Sequence, residues 1–202
     1  MIFKNKYWYW KEELSPKLCD DIIKLGLSKK HKQATVFNNK LKPNKLKKIR
    51  NSNVVFLDDS WLFQLIFHYV NAANKNAGWN FDVDYTENMQ FTVYKKNQHY
   101  DWHCDSLDEP YNFPKDINKH GKIRKLSMSI SLTDPKEYKG GDFEFDFRQY
   151  DNFKKHTFLK AKELKPRGSI IVFPSYTWHR VLPITSGTRY SLVAWVCGKP
   201  FK

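Results

Sequence analysis

Apolar and polar residues alternate with a period of two along much of the second half of the chain. The alternation is clearest at residues 89–94 and 126–132, where Gln, Thr, Tyr and Ser separate the apolar positions. Phenylalanines repeat it at residues 143–147. Successive side chains of a strand point to opposite faces, so this period predicts strands with one apolar and one polar face.

Turn residues divide this half of the chain. Thr133-Asp134-Pro135 and Gly140-Gly141 bracket one predicted turn region, and Pro166-Arg167-Gly168 precedes a buried apolar strand expected at residues 169–173. Residues 185–188 are expected to separate the segment around His179 from a last strand at residues 189–196. The order is that of several antiparallel strands in succession.

The first 85 residues follow a mixed pattern. We expect a short aromatic strand at residues 6–10 and then a helix with Ser15 as N-cap and Pro16 at its first position. A second helix is predicted after Asp59, because apolar residues recur there at helical spacing, and it should end near residues 76–78. Both helices look like supports for a sheet.

Helices followed by many strands predict an α+β fold built on a two-sheet jelly roll. At 202 residues the chain has the length of a single domain, spanning residues 1–202. Residues 1–85 are predicted to form supporting helices and strands, and residues 86–200 the jelly-roll core. The sequence has no internal repeat and no low-complexity segment.

The chain is strongly basic, with 35 Lys and Arg against 21 Asp and Glu and a formal net charge of +14. Such a charge attracts nucleic acid, acidic protein or an anionic membrane surface, so it is a hint about partners. The excess is densest from Lys29 to Arg50. This segment is either a solvated basic loop or a binding patch.

Cysteine usage and targeting signals suggest where the protein works. Cys19, Cys104 and Cys197 show no CxxC spacing, which favours a reducing compartment. The N-terminus has no apolar stretch typical of a signal peptide, and no run of about 18 apolar residues occurs. We expect a soluble cytoplasmic protein with no membrane partner.

His103-Cys104-Asp105 is the first candidate site. Residues two apart on an extended backbone project from the same face, so the imidazole and the carboxylate could share one metal ion while Cys104 points away. His179, after a buried strand, is a plausible third ligand; the alternative is a core histidine with a satisfied hydrogen bond. Two histidines and one carboxylate form the facial triad that non-haem Fe(II) oxygenases use.

Arg189 opens the last strand, ten positions after His179. A planar guanidinium could hold the free carboxylate of a dicarboxylate that chelates iron at its other end. Ser191 shares a face with Arg189 and could donate a further hydrogen bond, and Tyr94 could complete this carboxylate pocket. An ordinary strand arginine and a half-buried strand tyrosine are the alternatives.

Three stretches together resemble a known family. They read TVYKKNQHYDWHCDS at residues 92–106, RKLSMSISLTDPKEYKGGDFEF at 124–145 and GSIIVFPSYTWHRVLPITSGTRYSLVAWV at 168–196. The chain is similar here to the prolyl 4-hydroxylase-like group of 2-oxoglutarate and Fe(II)-dependent dioxygenases, including its PKHD-type members. The likeness covers roughly residues 86–197.

The resemblance implies a double-stranded β-helix of the jelly-roll type. It implies that His103, Asp105 and His179 bind iron and that Arg189 binds the distal carboxylate of 2-oxoglutarate, so that these four residues are also the expected catalytic set. Tyr94 matches the tyrosine of the family that contacts 2-oxoglutarate. The expected co-substrates are 2-oxoglutarate and O₂, with ascorbate as reductant.

The leading interpretation of function is hydroxylation of a prolyl or other side chain of a protein or peptide. Two other kinds of substrate remain open. One is nucleic acid, as for oxidative demethylases, and the other is a free amino acid. A non-catalytic jelly-roll binding module is the alternative from a different class. The oligomeric state does not follow from the sequence.

Three further elements are candidates for substrate contact. Trp178, beside a ligand, either walls the pocket or fills the core. Gln90 lies on the polar face that also carries Tyr94. The loop from Ser106 to Lys122 has little periodicity and either covers substrate as a lid or is a plain surface insertion.

Overall fold

A computed structural model of the chain describes residues 4–35, 48–106, 109–147 and 158–201. Its larger sheet has eight strands, and every described pairing is antiparallel. In order across the sheet, the strands are β1 (Trp8–Trp10), β12 (Ile170–Pro174), β8 (Ile123–Ser131), β15 (Arg189–Gly198), β6 (Met89–Tyr94), β4 (Asn53–Leu57) and β2 (Lys32–Gln33), and β5 (Tyr85–Thr86) pairs with the end of β15.

A smaller sheet faces the larger one. Its strands run in the order β11 (Phe158–Lys160), β10 (Phe143–Asp146), β13 (Trp178–Val181), β7 (His99–His103) and β3 (Arg50–Asn51). A separate pair, β9 (Tyr138–Gly140) and β14 (Ile184–Gly187), links the two sheets at one end, and a single 3₁₀ turn covers Lys162–Leu164. This is the jelly roll that the alternating pattern predicts.

Two helices, α1 (Pro16–Ser28) and α2 (Ser60–Asn76), support the larger sheet from outside. The Ser15 hydroxyl accepts a hydrogen bond from the Leu18 N–H (3.2 Å), which confirms the predicted N-cap. The apolar faces of both helices pack on the apolar side chains of the sheet in one buried cluster. This cluster includes Ile22, Leu62, Ile66, Phe91, Met128 and Leu192.

The opposite face of the larger sheet looks into the roll. Strand alternation places Gln90, Thr92 and Tyr94 of β6 on this inner face, as expected, and the serines of β8 lie there too. A second buried cluster, centred on Phe143, Phe145 and Phe173, fills part of the space between the sheets. Polar and apolar side chains together line the rest of the interior, where the fold leaves a chamber between its sheets.

The supporting region also contributes to the sheets. β1, β2 and β4 extend the larger sheet and β3 is an edge strand of the smaller one, so residues 1–85 do more than support the roll. Residues 185–188 are predicted to act only as a separator, but most of them belong to β14 (Ile184–Gly187). The predicted ends of α2 are confirmed, and Gly78 follows with a φ of 74°.

Several expectations concern the surface and the cysteines. The three cysteines are free thiols, and two of them, Cys19 and Cys197, are buried. Within the described ranges, no helix is long and apolar enough to cross a membrane. Most of the basic segment, residues 36–47, lies outside the described residues, so its role as a binding patch stays a prediction.

Replacing Gly168 with alanine should destabilise the fold. Gly168 has a φ of 77°, and a Cβ built there would lie 2.2 Å from the backbone oxygen of Leu14, which cannot move aside cheaply. Gly121→Ala is the control, because Gly121 has a φ of 74° but no atom within 4 Å of the added Cβ. We expect losses in unfolding free energy of about 1 kcal/mol for the control and about 2 to 4 kcal/mol for Gly168→Ala, measured by urea denaturation. Equal losses would contradict the close approach.

Candidate metal and co-substrate site

The first candidate ligand, His103, ends β7, and an irregularity in that strand orients it. β13 pairs with β7 through His179 opposite His103 and Val181 opposite Tyr100, so β7 has one extra residue between these pairs. This bulge brings Tyr100 and His103 to the same face although they are three positions apart. Their rings stack with centroids 3.4 Å apart at an interplanar angle of 11°.

His179 lies directly across from His103. Strand pairing places the two imidazoles next to each other, with centroids 4.1 Å apart. The side chain of His179 is 5% exposed and packs between Phe143, stacked at 5.4 Å, and Phe173, edge-on at 4.8 Å. The smaller sheet therefore supplies both imidazoles from neighbouring strands.

Asp105 follows β7 and turns back toward both histidines. Its backbone N–H donates to the Ser175 carbonyl oxygen (2.8 Å), which fixes the chain just after the strand. One carboxylate oxygen, Oδ1, lies 3.9 Å from His103 Nε2, and Oδ2 lies 3.6 Å from His179 Nε2. The three predicted ligands converge, with their ligating atoms all within 4.8 Å of one another.

Hydrogen bonds fix which ring nitrogen of each histidine faces the carboxylate. His103 Nδ1 lies 2.8 Å from the Asp101 carbonyl oxygen, and His179 Nδ1 lies 2.9 Å from that of Thr177. A carbonyl only accepts, so each Nδ1 carries the proton and donates it. Each Nε2 therefore presents a lone pair to the shared space, which is the form that binds metals.

The charge states of the site also suit a cation. Burial, and then the proximity of His179, lowers the pKa of His103 well below its ordinary value, so this imidazole is neutral. Burial raises the pKa of Asp105, but His179, His103 and Arg124 lower it more, and the net shift is downward. The neutral imidazole of His103, the Nε2 atom of His179 and the carboxylate of Asp105 thus face one shared space, and a metal ion there would bind all three.

The number of ligands points to an open metal site. Among the described residues this is the only group of three or more His, Cys, Asp or Glu side chains with metal-binding geometry, and it has no fourth member. A structural zinc site normally has four protein ligands. Two histidines and one carboxylate leave coordination positions for small molecules, as in non-haem iron oxygenases.

The buried residues predicted to bind a dicarboxylate line the same chamber. Arg189 and Tyr94 pair across β15 and β6, and they are 2% and 4% exposed. Ser191, two positions further along β15, also lines the chamber, as does Gln90. No carboxylate of the described residues lies within ion-pairing distance of the Arg189 guanidinium, so a buried positive charge faces the chamber without a protein anion.

Burial raises the pKa of Tyr94, and the nearby guanidinium groups of Arg50 and Arg189 lower it less. The phenol therefore keeps its proton and can donate a hydrogen bond. A donor beside a guanidinium is suited to an anionic ligand.

Two expectations about neighbouring residues do not match the structure. Trp178 alternates with His179 along β13 and so belongs to the other face of the sheet, and among the described residues it lines neither the chamber nor the groove outside it. Cys104 does not simply point away: β7 ends at His103, the chain bends, and Cys104 lines the outer groove together with Asp105.

Sequence reasoning missed other residues of the chamber. Tyr100 and Trp195 line both the chamber and the outer groove, and Ser127 donates to Asp105 Oδ2 (2.8 Å). Ser175 lies 2.9 Å from the Ser127 oxygen and donates to it, since the single proton of Ser127 goes to the carboxylate. The alternating serines of β8 were the only sequence feature that indicated these residues, because small polar side chains on an inner strand face leave room for ligands.

The described part of the loop from Ser106 to Lys122 is anchored beside the groove. The Tyr111 hydroxyl donates to Glu87 (2.7 Å), and Lys119 lies 3.7 Å from the same carboxylate. None of the loop residues that the structure describes lines the chamber or the groove. Its role as a lid stays a prediction.

A jelly roll with an open three-ligand metal site and an unneutralised arginine on its last strand is the arrangement of the mononuclear iron oxygenases. The sequence agrees, because the model of the 2OG-Fe(II) oxygenase superfamily matches residues 89–197, just over half of the chain. The chain belongs to this superfamily. The predicted resemblance to prolyl 4-hydroxylase-like oxygenases is confirmed.

Relatives by sequence are PKHD-type hydroxylases. One from Synechococcus sp. (strain CC9902) is 36% identical over 98 residues, which are 48% of this chain and 35% of the relative. Another from Xylella fastidiosa (strain M12) is 31% identical over 108 residues, 53% of this chain and 43% of the relative. The aligned part thus covers less than half the length of these relatives.

Solved structures share the fold over nearly the whole chain. A prolyl-4-hydroxylase from Pseudomonas putida aligns with a TM-score of 0.69 and 17% identity, covering 96% of this chain and 93% of the other. The viral collagen prolyl hydroxylase of Paramecium Bursaria Chlorella virus-1, a 2OG complex, aligns with a TM-score of 0.65 and 21% identity, covering 96% and 97%. These likenesses confirm the double-stranded β-helix fold.

Ser127→Ala should weaken metal binding, because Asp105 would lose the hydroxyl that orients its carboxylate. We expect affinity for Mn(II), used as a redox-stable substitute for Fe(II), to fall about tenfold to a hundredfold in titration calorimetry. Ser131→Ala is the matched control, since Ser131 lies on the same strand and its buried oxygen has no hydrogen-bond partner among the described residues. Equal affinities of the two variants would show that Ser127 does not orient the ligand.

Proposed function

We propose that this chain is a 2-oxoglutarate- and Fe(II)-dependent dioxygenase that hydroxylates a side chain of a protein or peptide, with a prolyl residue as the leading candidate. One observation carries the proposal: the three convergent ligands and the unneutralised Arg189 line one chamber. A metal site alone would fit many proteins. A metal site that shares its chamber with a buried guanidinium fits a metal-chelating dicarboxylate.

His103, Asp105 and His179 are the proposed iron ligands. The imidazoles would contribute Nε2 lone pairs, and the carboxylate would contribute negative charge to a divalent ion. The imidazoles come from adjacent strands and the carboxylate from the bend that follows. Three protein ligands would leave coordination positions for 2-oxoglutarate and O₂.

Arg189 is the proposed partner of the distal carboxylate of 2-oxoglutarate. A carboxylate is planar and matches the fork of a guanidinium, so the pair fixes direction as well as charge. Tyr94 and Ser191, which flank Arg189 on the inner face, supply hydroxyl donors for the remaining lone pairs. These three residues would favour the binding of an anion in the part of the chamber beside Arg189.

The apolar residues of the chamber shape the space around the iron. Phe143, Phe173 and Val181 line it, and Phe143 and Phe173 also pack on His179. Bound iron and 2-oxoglutarate would supply the oxidising chemistry, in which one atom of O₂ enters the substrate, the other enters succinate, and CO₂ is released. Exclusion of water by these side chains would protect that chemistry from side reactions.

A polypeptide substrate is supported by the relatives. The curated relatives are named hydroxylases, and three of the similar structures are prolyl hydroxylases, one of them from Trichoplax adhaerens in complex with a peptide fragment. The metal chamber also opens into an outer groove of about 570 Å³, with which it shares Arg50, Tyr100 and Trp195. A groove of this size accommodates several residues of an extended peptide.

Asp105→Ala and His179→Ala should each abolish formation of succinate from 2-oxoglutarate. Each variant removes one of three ligands, and the two that remain cannot hold the ion in the same geometry. The assay measures succinate by mass spectrometry after incubation with Fe(II), 2-oxoglutarate and ascorbate, with candidate peptides checked for the added mass of one oxygen atom. Full turnover by either variant would refute the triad, and absence of turnover in the wild type with every substrate would support a binding module.

Arg189→Ala should raise the KM for 2-oxoglutarate strongly. Loss of one partner of a buried charge pair costs about 2 to 4 kcal/mol, which is roughly thirtyfold to a thousandfold in affinity. Arg189→Lys should fall between, because an ammonium keeps the charge but cannot bind bidentately. Arg180→Ala is the control, since Arg180 pairs with Glu144 (2.7 Å) outside the chamber. An unchanged KM in Arg189→Ala would exclude the assigned role.

A further inference from the structure

A groove outside the metal chamber has an unusual distribution of charge. It is about 570 Å³ in volume, and four cationic side chains line it: Lys30, Lys32, Arg50 and Arg124. Asp105 is its one acidic lining residue, and that carboxylate is committed to the metal site. The groove therefore carries a positive charge that its own walls do not balance.

Arg124 is the one cation of the groove that a described carboxylate neutralises. Its Nε donates to Glu87 Oε1 and its Nη2 to Oε2, both at 2.8 Å. Its guanidinium also lies over the Trp195 ring, 3.9 Å from the centroid. The charge of Arg124 is therefore neutralised within the protein, and the unbalanced positive charge of the groove comes from Lys30, Lys32 and Arg50.

Arg50 is the cation nearest to the metal, since it lines both the groove and the chamber. It is 6% exposed, its Nη1 donates to the Thr35 carbonyl oxygen (2.9 Å), and its guanidinium stacks on Tyr100 at 4.4 Å. Its Nε has no hydrogen-bond partner, and no carboxylate pairs with it, among the residues that the structure describes. A buried cation left in this state costs free energy unless a ligand pairs with it.

Lys30 and Lys32 extend this charge along the rim. Both are exposed, and neither pairs with an acidic residue of the described chain, whereas the adjacent Lys29 lies 3.5 Å from both Asp58 and Asp59. The sequence offers no local compensation, because residues 22–57 contain no Asp or Glu. The field at the rim is therefore positive over a long segment.

The other wall of the groove is apolar. The side chains of Val54 and Phe56 on β4 form it, whereas Val55 between them packs on the apolar cluster on the other face of the sheet, and Phe56 is 52% exposed. The neighbouring β2 covers only two residues, so it pairs with Asn53 and Val54 and leaves the rest of the β4 edge unpaired within the described chain. An apolar wall opposite the cationic side chains suits an extended peptide that carries both apolar and acidic side chains.

The aromatic residues of the groove argue against a nucleic acid. Binding of single strands relies on open aromatic faces on which bases stack. Here the ring of Tyr100 stacks on the His103 imidazole and also contacts the Arg50 guanidinium. The ring of Trp195 contacts the Arg124 guanidinium. Protein groups thus lie on the rings of Tyr100 and Trp195, which leaves Phe56 as the exposed aromatic ring of the groove. One exposed ring gives little stacking for successive bases, and the cations are left to bind carboxylates.

We propose that this groove binds an acidic segment of the polypeptide substrate, next to the residue presented to the iron. Arg50 pairs with an acidic side chain close to the target residue, and Lys30 and Lys32 with acidic side chains further along the segment. The inference rests on the proposed function, because the chamber that the groove opens into is the proposed site of hydroxylation.

The binding test uses pools of labelled synthetic peptides with a central proline and randomised flanks. One pool is enriched in Glu, one in Gln and one in Lys, and the full chain is loaded with Mn(II) and 2-oxoglutarate so that no turnover occurs. We expect the Glu pool to bind at least about tenfold more tightly than the Gln pool in fluorescence anisotropy at low salt. The difference should shrink as salt screens the rim, where the Debye length falls to about 3 Å at 1 M. Equal or undetectable binding of the Glu pool would overturn the proposal.

Charge-reversed variants test the residues themselves. The double variant Lys30→Glu/Lys32→Glu should lose about threefold to tenfold in affinity for the Glu pool and gain affinity for the Lys pool. Lys75→Glu/Lys136→Glu changes the net charge equally at two exposed lysines that line neither cavity, and it should keep the preference for Glu. The same loss in both double variants would show a general charge effect and contradict the proposed groove.

Arg50→Lys tests the position nearest to the iron without removing the charge. We expect it to weaken binding of the Glu pool. Mn(II) affinity is measured beside it to separate this loss from any change at the metal, since Arg50 stacks on Tyr100 and Tyr100 stacks on His103. Unchanged binding of the Glu pool would remove Arg50 from the proposal. Tighter binding of a single-stranded oligonucleotide than of the Glu pool would overturn the choice of a peptide.

Failure of the groove and failure of the proposed function give different results. Mn(II) and 2-oxoglutarate binding and slow substrate-free succinate formation depend on the chamber alone. If these persist while the pools show no charge preference, only the groove proposal falls. If the wild type binds neither metal nor 2-oxoglutarate, the proposed function falls as well.

Discussion

The buried Asp105 carboxylate, which faces Nε2 of both His103 and His179, is the constraint around which the rest of the site is arranged. Burial alone would favour its protonated form, yet the net effect of its neighbours lowers its pKa. Ser127 and Ser175 hold its orientation, and carbonyl oxygens accept from Nδ1 of each imidazole. These contacts cost ordering and desolvation, and a bound cation would offset that cost.

The larger sheet makes this possible by having two different faces. Its outer face is held against α1 and α2 by a continuous apolar cluster, which supplies the stability of the domain. Its inner face can therefore carry serines, Gln90, Thr92 and Arg189 without loss of the core. Polar side chains can reach the chamber from this face because the apolar residues that hold the sheet to its helices lie on the other side of it.

Periodicity and motif chemistry predicted most of this from the sequence. The helix cap at Ser15 and the inner face with Tyr94 and Gln90 follow from local rules of alternation and capping. The set of three ligands was predicted from the chemistry of its residue types and from the family resemblance, and the three residues converge. Tyr100 could not be found in this way, because strict alternation places a residue three positions from His103 on the opposite face. Only the bulge in β7, which depends on pairing with β13, brings it onto the imidazole. The charged groove likewise joins residues that are distant in sequence.

The two guanidinium groups that pair with no described carboxylate lie at different depths. Arg189 lines the inner chamber and not the groove, whereas Arg50 lines both spaces, as does the carboxylate of Asp105. Under the proposed function, a diacid that chelates the metal would pair with Arg189, and Arg50 would be left for an anion of the substrate. The same positive field would then serve two different anions, one in the chamber and one in the groove.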